Sequence, residues 1–312
     1  MSPIEHAVGR GIVLCFTFSV AQKHLRLARN QPGSFYVDES CIDCETCRQI
    51  APGTFAEAPE LGKSFVYAQP ENDGARLLAQ MALVSCPTAS IGSEDRQGAK
   101  QAALAFPQLV DQNVYYCGFA SADSFGASSY FIQRDAGNVL VDSPRAAAPL
   151  MNRFAERGGV AWMFLSHRDD VADHEKFHRR FGCNRTLHAA DVTPETGALE
   201  WIWSGNDPVT LAPDLLLIPL PGHTRGSAAL LYRDRYLFTG DHLWGSEDGK
   251  RLGASSAVCW YSWAEQIASM RRLLDYSFEW VLPGHGRRLH AASAGAMRVK
   301  LERLLQKMET GR

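Results

Sequence analysis

The stretch LSHRDDVADH, Leu165–His174, places two histidines and three aspartates within ten residues, directly behind the apolar run Val160–Phe164. A short apolar run that ends in polar residues reads as a buried strand handing the chain to a loop. Imidazole and carboxylate are the groups that hold zinc, iron or manganese, so this loop reads as a metal site more readily than as an ordinary acidic helix start.

The same logic recurs downstream. LLLIPLPGHTRGS (Leu215–Ser227), AALLYRDRYLFTGDHLW (Ala228–Trp244) and FEWVLPGHG (Phe278–Gly286) each carry an apolar strand into a loop that bears His or Asp. Loops at strand ends are where a rigid scaffold presents its ligands. His167, Asp173, His174, His223, Asp241 and His285 could therefore converge on one rim. Any one of them alone would be an ordinary core or surface residue; together, each after its own strand, they form a constellation.

These loops resemble those of the metallo-β-lactamase fold superfamily. PGHTRGS is similar to its Gly-His-Thr-x-Gly-Ser loop, LFTGD to its bridging aspartate and LPGHG to its last histidine, in the family's order over about residues 110–290. The resemblance implies an αββα sandwich, two mixed sheets faced by helices, with one or two divalent ions (zinc, iron or manganese) at one edge. It assigns His223 to a first metal and Asp173, His174 and His285 to a second, with Asp241 between them. Asp173 would also orient a metal-bound hydroxide and pass a proton to the leaving group.

LSHRDDVADH departs from that pattern. Aligned without a gap on Asp173-His174, the family's first two ligand positions fall on Asp169 and Val171, and valine cannot coordinate. With two residues inserted, His167 and Asp169 take those places, which is the reading preferred here; whether Asp169 or Asp170 is the ligand stays open. A carboxylate there adds hardness and favours iron or manganese over zinc. The flavodiiron branch, which reduces dioxygen or nitric oxide, likewise has a carboxylate at that position, although this chain has no flavodoxin-like domain.

Far upstream, CIDCETC (Cys41–Cys47) sets three cysteines on one loop, and Cys86-Pro87 supplies a fourth. This resembles a bacterial-type 4Fe-4S ferredoxin over about residues 30–95. Two-cluster ferredoxins continue the run with a further Cys-Pro, where this chain has Ala51-Pro52. One cluster on Cys41, Cys44, Cys47 and Cys86 is implied. Zinc is the alternative for four thiolates, but it more often uses two Cys-x2-Cys knuckles.

At 312 residues the chain has room for two domains. The expected division is an extension (1–29), an α+β ferredoxin-like domain (30–95), a linker (96–112) and the αββα metallo-β-lactamase-type sandwich (113–312), closed by the amphipathic helix AMRVKLERLLQKMETGR. A net charge of −2 gives no general field for nucleic acid. GIVLCFTFSV (Gly11–Val20) is too short to span a bilayer. Ser19-Val20-Ala21 imitates a signal cleavage site, yet only Arg10 supplies the basic flank, so the segment reads as an extension. Thiolates that hold a cluster fit a reducing cytoplasm. Cys15, Cys117, Cys183 and Cys259 read as buried free thiols; His178, His188, His242, Arg225 and Trp244 read as flanking residues.

Three functions follow as expectations. The leading one is a metal-dependent hydrolase whose bound hydroxide attacks a thioester, ester or amide, with the ferredoxin domain redox-active or regulatory. The second is a di-iron oxidoreductase fed by its own ferredoxin domain. The third is an electron-transfer or redox-sensing protein without hydrolysis. A small-molecule substrate and a redox partner protein are the expected partners, and neither nucleic acid nor membrane is.

Overall fold

The computed structural model describes residues 20–94 and 98–310. Cys15 and nearly all of the apolar run Gly11–Val20 lie outside the described residues.

The N-terminal domain begins with β1 (Phe35–Val37), followed by the cysteine loop and the short helix α1 (Thr46–Ile50). A hairpin of β2 (Phe55–Ala58) and β3 (Lys63–Val66) comes next. Helix α2 (Asp73–Ser85) is capped by the Asn72 side chain, which accepts from the Ala75 N–H, and it stops where Cys86-Pro87 removes a backbone donor. Strand β4 (Ile91–Ser93) then pairs antiparallel with β1. The described end of the expected extension is part of this body. Asn30 is buried there; its side-chain oxygen accepts from Val37 and Val66, and its amide donates to Leu27 and Val37.

The segment expected as a linker carries helix α3 (Ala99–Leu104) and β5 (Gln108–Asp111). The latter pairs antiparallel with β6 (Val114–Tyr116) and so forms the edge of the first sheet. That sheet continues through β7 (Tyr130–Ile132) and β8 (Val139–Val141), crosses helix α4 (Ala148–Glu156) to β9 (Trp162–Phe164), and crosses helix α5 (His174–Phe181) to β10 (Asn184–His188) and β11 (Trp201–Trp203). Its spatial order is β11-β10-β9-β8-β7-β6-β5, parallel from β8 to β11 and antiparallel elsewhere.

The second sheet contains β12 (Val209–Ala212), β13 (Leu215–Pro219), β14 (Ala228–Tyr232) and β15 (Tyr236–Gly240). After a small hairpin of β16 (Trp244–Gly245) and β17 (Leu252–Gly253) and helix α6 (Trp263–Arg272), β18 (Trp280–Pro283) and β19 (Leu289–His290) complete it in the order β12-β13-β14-β15-β18-β19. Helix α7 (Ala294–Thr310) ends the described chain.

Side-chain alternation explains why this sheet is buried on both faces. The register row Leu217, Leu230, Phe238 and Leu282 joins the core shared with the first sheet, which includes Phe131 and Phe164. The adjoining row, with Leu231, Leu237 and Val281, joins the core made with Met270 of α6 and Met297, Leu301 and Leu304 of α7. On the first sheet's side, Phe154 of α4 stacks on Phe131 at 4.6 Å. The layers are helix, sheet, sheet, helix. Burying each such aromatic or aliphatic side chain contributes about 1.5–3 kcal/mol. No described helix is long and apolar enough to cross a membrane.

Candidate metal centre

Four loops meet at one edge of the sandwich. They follow β9, β13, β15 and β18, and they bring His167, Asp169 and Asp170, then His223, Asp241 and His285, to one place.

The first set is His167, His223, Asp169 and Asp241. The Nε2 atoms of both histidines lie 3.8 Å from Asp169 Oδ2 and 3.7–3.8 Å from Asp241 Oδ2. Edges of that length suit a tetrahedral ion about 2.3 Å from each atom, close to the bond lengths of such ligands. The opposite ring nitrogens are already engaged. His223 Nδ1–H donates to the Val258 carbonyl at 2.6 Å, and His167 Nδ1 is 3.0 Å from Ser166 Oγ. Such outer partners fix the tautomer and aim Nε2 inward.

The second set is Asp170, Asp241 and His285. His285 Nδ1 sits 2.9 Å from both Asp241 oxygens. Gly284 permits this approach, since a Cβ there would stand 2.7 Å from an oxygen of Asp170 and of Asp241. Burial pushes Asp170 well above the usual carboxylate range, and the charge of Asp241 adds to it. Burial opposes a charge on His285, yet Asp241 and Asp170 lift it to about 10, so a proton there answers the two acids.

These residues fit metal ions on an observation of their own. His167 Nε2, His223 Nε2 and both Asp170 oxygens are buried without a hydrogen-bond partner. Polar atoms are not left so without cost, and all of them face the same two sets.

Asp173 and His174 do not join them, a correction to the sequence reading. Asp173 Oδ2 accepts from the Ala146 N–H at 2.8 Å, and its other oxygen pairs with Lys176 at 2.6 Å. His174 turns its Nδ1 to the Arg185 guanidinium at 2.9 Å. The cause is local: Val171 packs against the core, so its neighbour Asp170 faces the rim, and the chain turns at Ala172 (φ 23°) into α5 before Asp173 can reach it. Sequence reasoning also passed over Asp142, whose oxygen accepts from the Ser166 N–H at 2.7 Å, and Asp191. Buried Asp191 accepts from Thr224 Oγ1 (2.5 Å), Gly226 N–H (2.7 Å) and Arg168 N–H (3.1 Å), pinning the His223 loop to the His167 loop. The only signal was an aspartate shortly after an apolar strand.

The flanking residues divide. Trp244 lines the site cavity. His242 packs beneath α6, with Nε2 3.2 Å from Ser269 Oγ, and burial drives its pKa down to about 3. His178 and His188 bond to the Cys183 and Gly205 carbonyls, and Arg225 lines a separate groove. Cys117 and Cys183 are buried, whereas Cys259 is only partly so.

Cys41, Cys44, Cys47 and Cys86 line a second cavity together with Pro87 and Ser90. All four are free thiols. Asp43 and Glu45 adopt left-handed backbone (φ 58° and 63°), which winds the loop tightly enough for its three cysteines to face one point. The Asp43 and Ser90 N–H groups point at the Cys41 and Cys86 sulfurs, at 3.5 and 3.3 Å. Burial lifts the Cys44 thiol to about 11. Four sulfurs around one cavity, two of them with amide donors aimed at them, fit an electropositive cluster.

The two cavities adjoin. A space of about 630 Å³ is lined by Asp43, Cys44 and Glu45 of the cysteine loop and, opposite, by Asp169, Asp170, His223, Asp241 and His285. Phe125, Trp244 and Trp260 form its flat walls. The domains are fastened around it: Gln49 Nε2 donates to the Gly286 carbonyl (2.9 Å), Thr46 Oγ1 to the Gly126 carbonyl (3.2 Å) and the Arg145 guanidinium to the Val84 carbonyl (2.7 Å).

Fold and site define a metallo-β-lactamase-type sandwich with a metal-ligating edge, to which a ferredoxin domain is attached. Residues 37–93 match the 4Fe-4S single cluster domain of Ferredoxin I. Ferredoxin-1 of Desulfocurvibacter africanus is 40% identical over 62 residues, 20% of this chain and 92% of that protein. Through this region the chain belongs to the single-cluster 4Fe-4S ferredoxin family. For the sandwich, the metallo-β-lactamase FIM-1 from Pseudomonas aeruginosa in its mono-zinc form is 16% identical, covers 65% of this chain and 94% of its own, and superposes with a TM-score of 0.50. TTHA1623 in a di-iron-bound form is 20% identical, covering 56% of this chain and 93% of its own, with a TM-score of 0.43.

Proposed function

We propose that this chain is a metal-dependent oxidoreductase in which the ferredoxin domain serves the metal edge of the sandwich, acting on an organic small molecule. The observation that carries this reading is the shared cavity: Cys44 of the cysteine loop and Asp170, Asp241 and His285 line one space. A hydrolase that used its ferredoxin domain only as a prop would have no need for a cluster ligand in the wall of its substrate cavity.

When bound, the cluster supplies single electrons and the metal ions a polarising, electron-accepting centre. The donor set supports that use. The three carboxylates (Asp169, Asp170, Asp241) are hard, anionic ligands that favour iron or manganese and stabilise their higher oxidation states, and the three neutral imidazoles (His167, His223, His285) suit iron as well as zinc. The chain's own residues do the rest. Asp191 and Ser166 hold the ligand loops, and Phe125, Trp244 and Trp260 offer flat apolar faces to a substrate. A cavity of about 630 Å³ lies in the range of organic-ligand sites. Beyond the metal-facing groups its charged lining residues, Asp43, Glu45 and Asp123, are acidic, so an uncharged or cationic molecule suits that part of the cavity better than an anion.

The test is anaerobic. Protein with its cluster reduced by dithionite is mixed with organic acceptors such as a quinone or a nitroaromatic, and cluster bleaching is followed by absorbance. Reoxidation is expected in the wild type and strongly slowed in His167→Ala, which lacks a first-set ligand. Equal rates in both, or thioester hydrolysis that survives undiminished in cluster-free Cys86→Ser protein, would overturn the reading in favour of the hydrolase.

A further inference from the structure

Between the cluster cysteines and the metal edge lies a single peptide, Phe125–Gly126. On one side His285 directs Nδ1 to Asp241, while its Nε2–H reaches the Phe125 carbonyl in a long hydrogen bond of 3.4 Å. On the other side Gly126 abuts Cys44 so closely that a Cβ would stand 2.5 Å from the Cys44 Cβ and 2.8 Å from its Sγ. Gly126 has φ 85°, so both its conformation and its contact require glycine. Thr46 closes the arrangement: its hydroxyl donates to the Gly126 carbonyl at 3.2 Å and lies 3.4 Å from Cys44 Sγ.

We propose that the Phe125–Gly126 peptide is the relay that couples the cluster to the metal centre, with Cys44 as the exit ligand and His285 as the entry ligand. The proposal rests on the oxidoreductase reading. Among the cluster cysteines, only Cys44 lines the metal-side cavity, whereas Cys41, Cys47 and Cys86 do not. Imidazole, hydrogen bond, peptide and sulfur contact follow one another as a continuous chain of protein contacts. Each transfer oxidises the reduced cluster by one electron and reduces one ion of the metal centre by one. A one-electron donor of low potential, such as a reduced ferredoxin or dithionite, restores the cluster.

The test uses the full chain loaded with cluster and second-site iron, photoreduced or mixed with dithionite, and freeze-quenched for EPR and Mössbauer spectroscopy. These record oxidation states rather than turnover. In the wild type the second-site ferric signal should decay as electrons arrive. Gly126→Ala, which pushes the loop off Cys44, should slow that decay roughly tenfold or more, as an ångström of misplacement does to a tight contact. Cluster and iron content should stay at wild-type levels. Phe125→Leu keeps the backbone path and should transfer at the wild-type rate. Thr46→Val, which is nearly isosteric, should slow transfer less than Gly126→Ala, and it decides the matter if the alanine variant fails to load. An unchanged rate in loaded Gly126→Ala, or in Thr46→Val where the former does not load, overturns the relay. Wild-type second-site iron that is never reduced through the cluster would overturn the oxidoreductase reading itself, and the relay with it.

Discussion

The cluster cysteines and the metal edge, which face each other across the cavity, are built in opposite ways. Three of the cluster cysteines sit within the seven residues Cys41–Cys47, and only Cys86 comes from elsewhere. The metal-facing groups come from four loops spread from His167 to His285, each leaving the end of a sheet strand. The consequence is energetic as well as geometric. The cysteine loop is held by its own turns and gathers four thiols that repel one another once ionised, and burial pushes those of Cys41, Cys44 and Cys47 above the usual thiol range. Its shape therefore depends on the cluster. The metal edge rests on two buried sheets and on bonds such as His223 to Val258 and Asp191 to Thr224, so its shape belongs to the sandwich. One site is made by its cofactor, and the other is made for it.

Removing a ligand from each side would break this comparison most severely. Cys86→Ser should abolish the cluster, read as loss of acid-labile sulfide and of the visible absorption. The second-site metal content of the same protein should remain, because the sheets that carry it are untouched. Loss of both together would mean that the metal edge is not built by the sandwich alone.

On the metal side, Asp241→Asn should have the next largest effect. Asp241 faces both sets, so the substitution weakens both ions, by about a hundredfold or more on the scale of neighbouring-group effects. Equilibrium dialysis with iron or manganese measures it. A variant that loses one ion and keeps the other at full affinity would show that Asp241 does not belong to both.

Asp169→Ala should weaken one ion only, by about tenfold, since half-exposed Asp169 approaches His167 and His223 but is absent from the second set. Asp173→Asn gives the contrast within the same loop. It should leave both ions in place and cost at most about 1 kcal/mol of stability, because the amide oxygen still accepts from the Ala146 N–H and only the charge toward half-exposed Lys176 is lost. Metal loss in Asp173→Asn would restore the reading taken from sequence spacing.

How far the site was legible follows from the same contrast. The cluster loop could be read because its ligands are close in sequence and their spacing is their geometry. The sandwich was legible in class because apolar strands ending in His or Asp need a common edge, and His167, His223, Asp241 and His285 were found that way. Its first loop was misjudged where the direction of a side chain, not its spacing, decides. Packing of Val171 turns Asp170 to the rim and sends Asp173 to Ala146, and nothing in LSHRDDVADH reports which valine face is buried. The contact between Cys44 and Gly126 was beyond reach because it joins residues 82 positions apart through docking of the two domains.

The smallest net effect concerns pH, where buried carboxyls and buried histidines oppose one another, and it separates an edge made for cations from one that merely contains acids. Burial lifts Asp142 to about 7 and Asp170 upward as well. A carboxyl raised in this way keeps its proton in the folded protein at a pH where the unfolded chain has released it. Burial holds His167, His174 and His242 below their ordinary value, so they add stability as pH rises toward about 6.5. Against them, metal-stripped protein should lose stability through each such carboxyl as pH rises from about 4 to about 7, by up to about 1.4 kcal/mol per unit. His285 adds in the same direction higher up: its favourable protonation is complete below its ordinary 6.5 and fades as pH climbs toward 10. Asp241, which His285 and its neighbours hold low against the effect of burial, is ionised throughout this range and adds no slope. Bound ions replace the Asp170 proton, so in urea denaturation the stability that excess iron or manganese adds over chelator-treated protein should be larger at about pH 7 than at about pH 5. An equal gain at both pH values would mean that Asp170 is not an acid the ions meet.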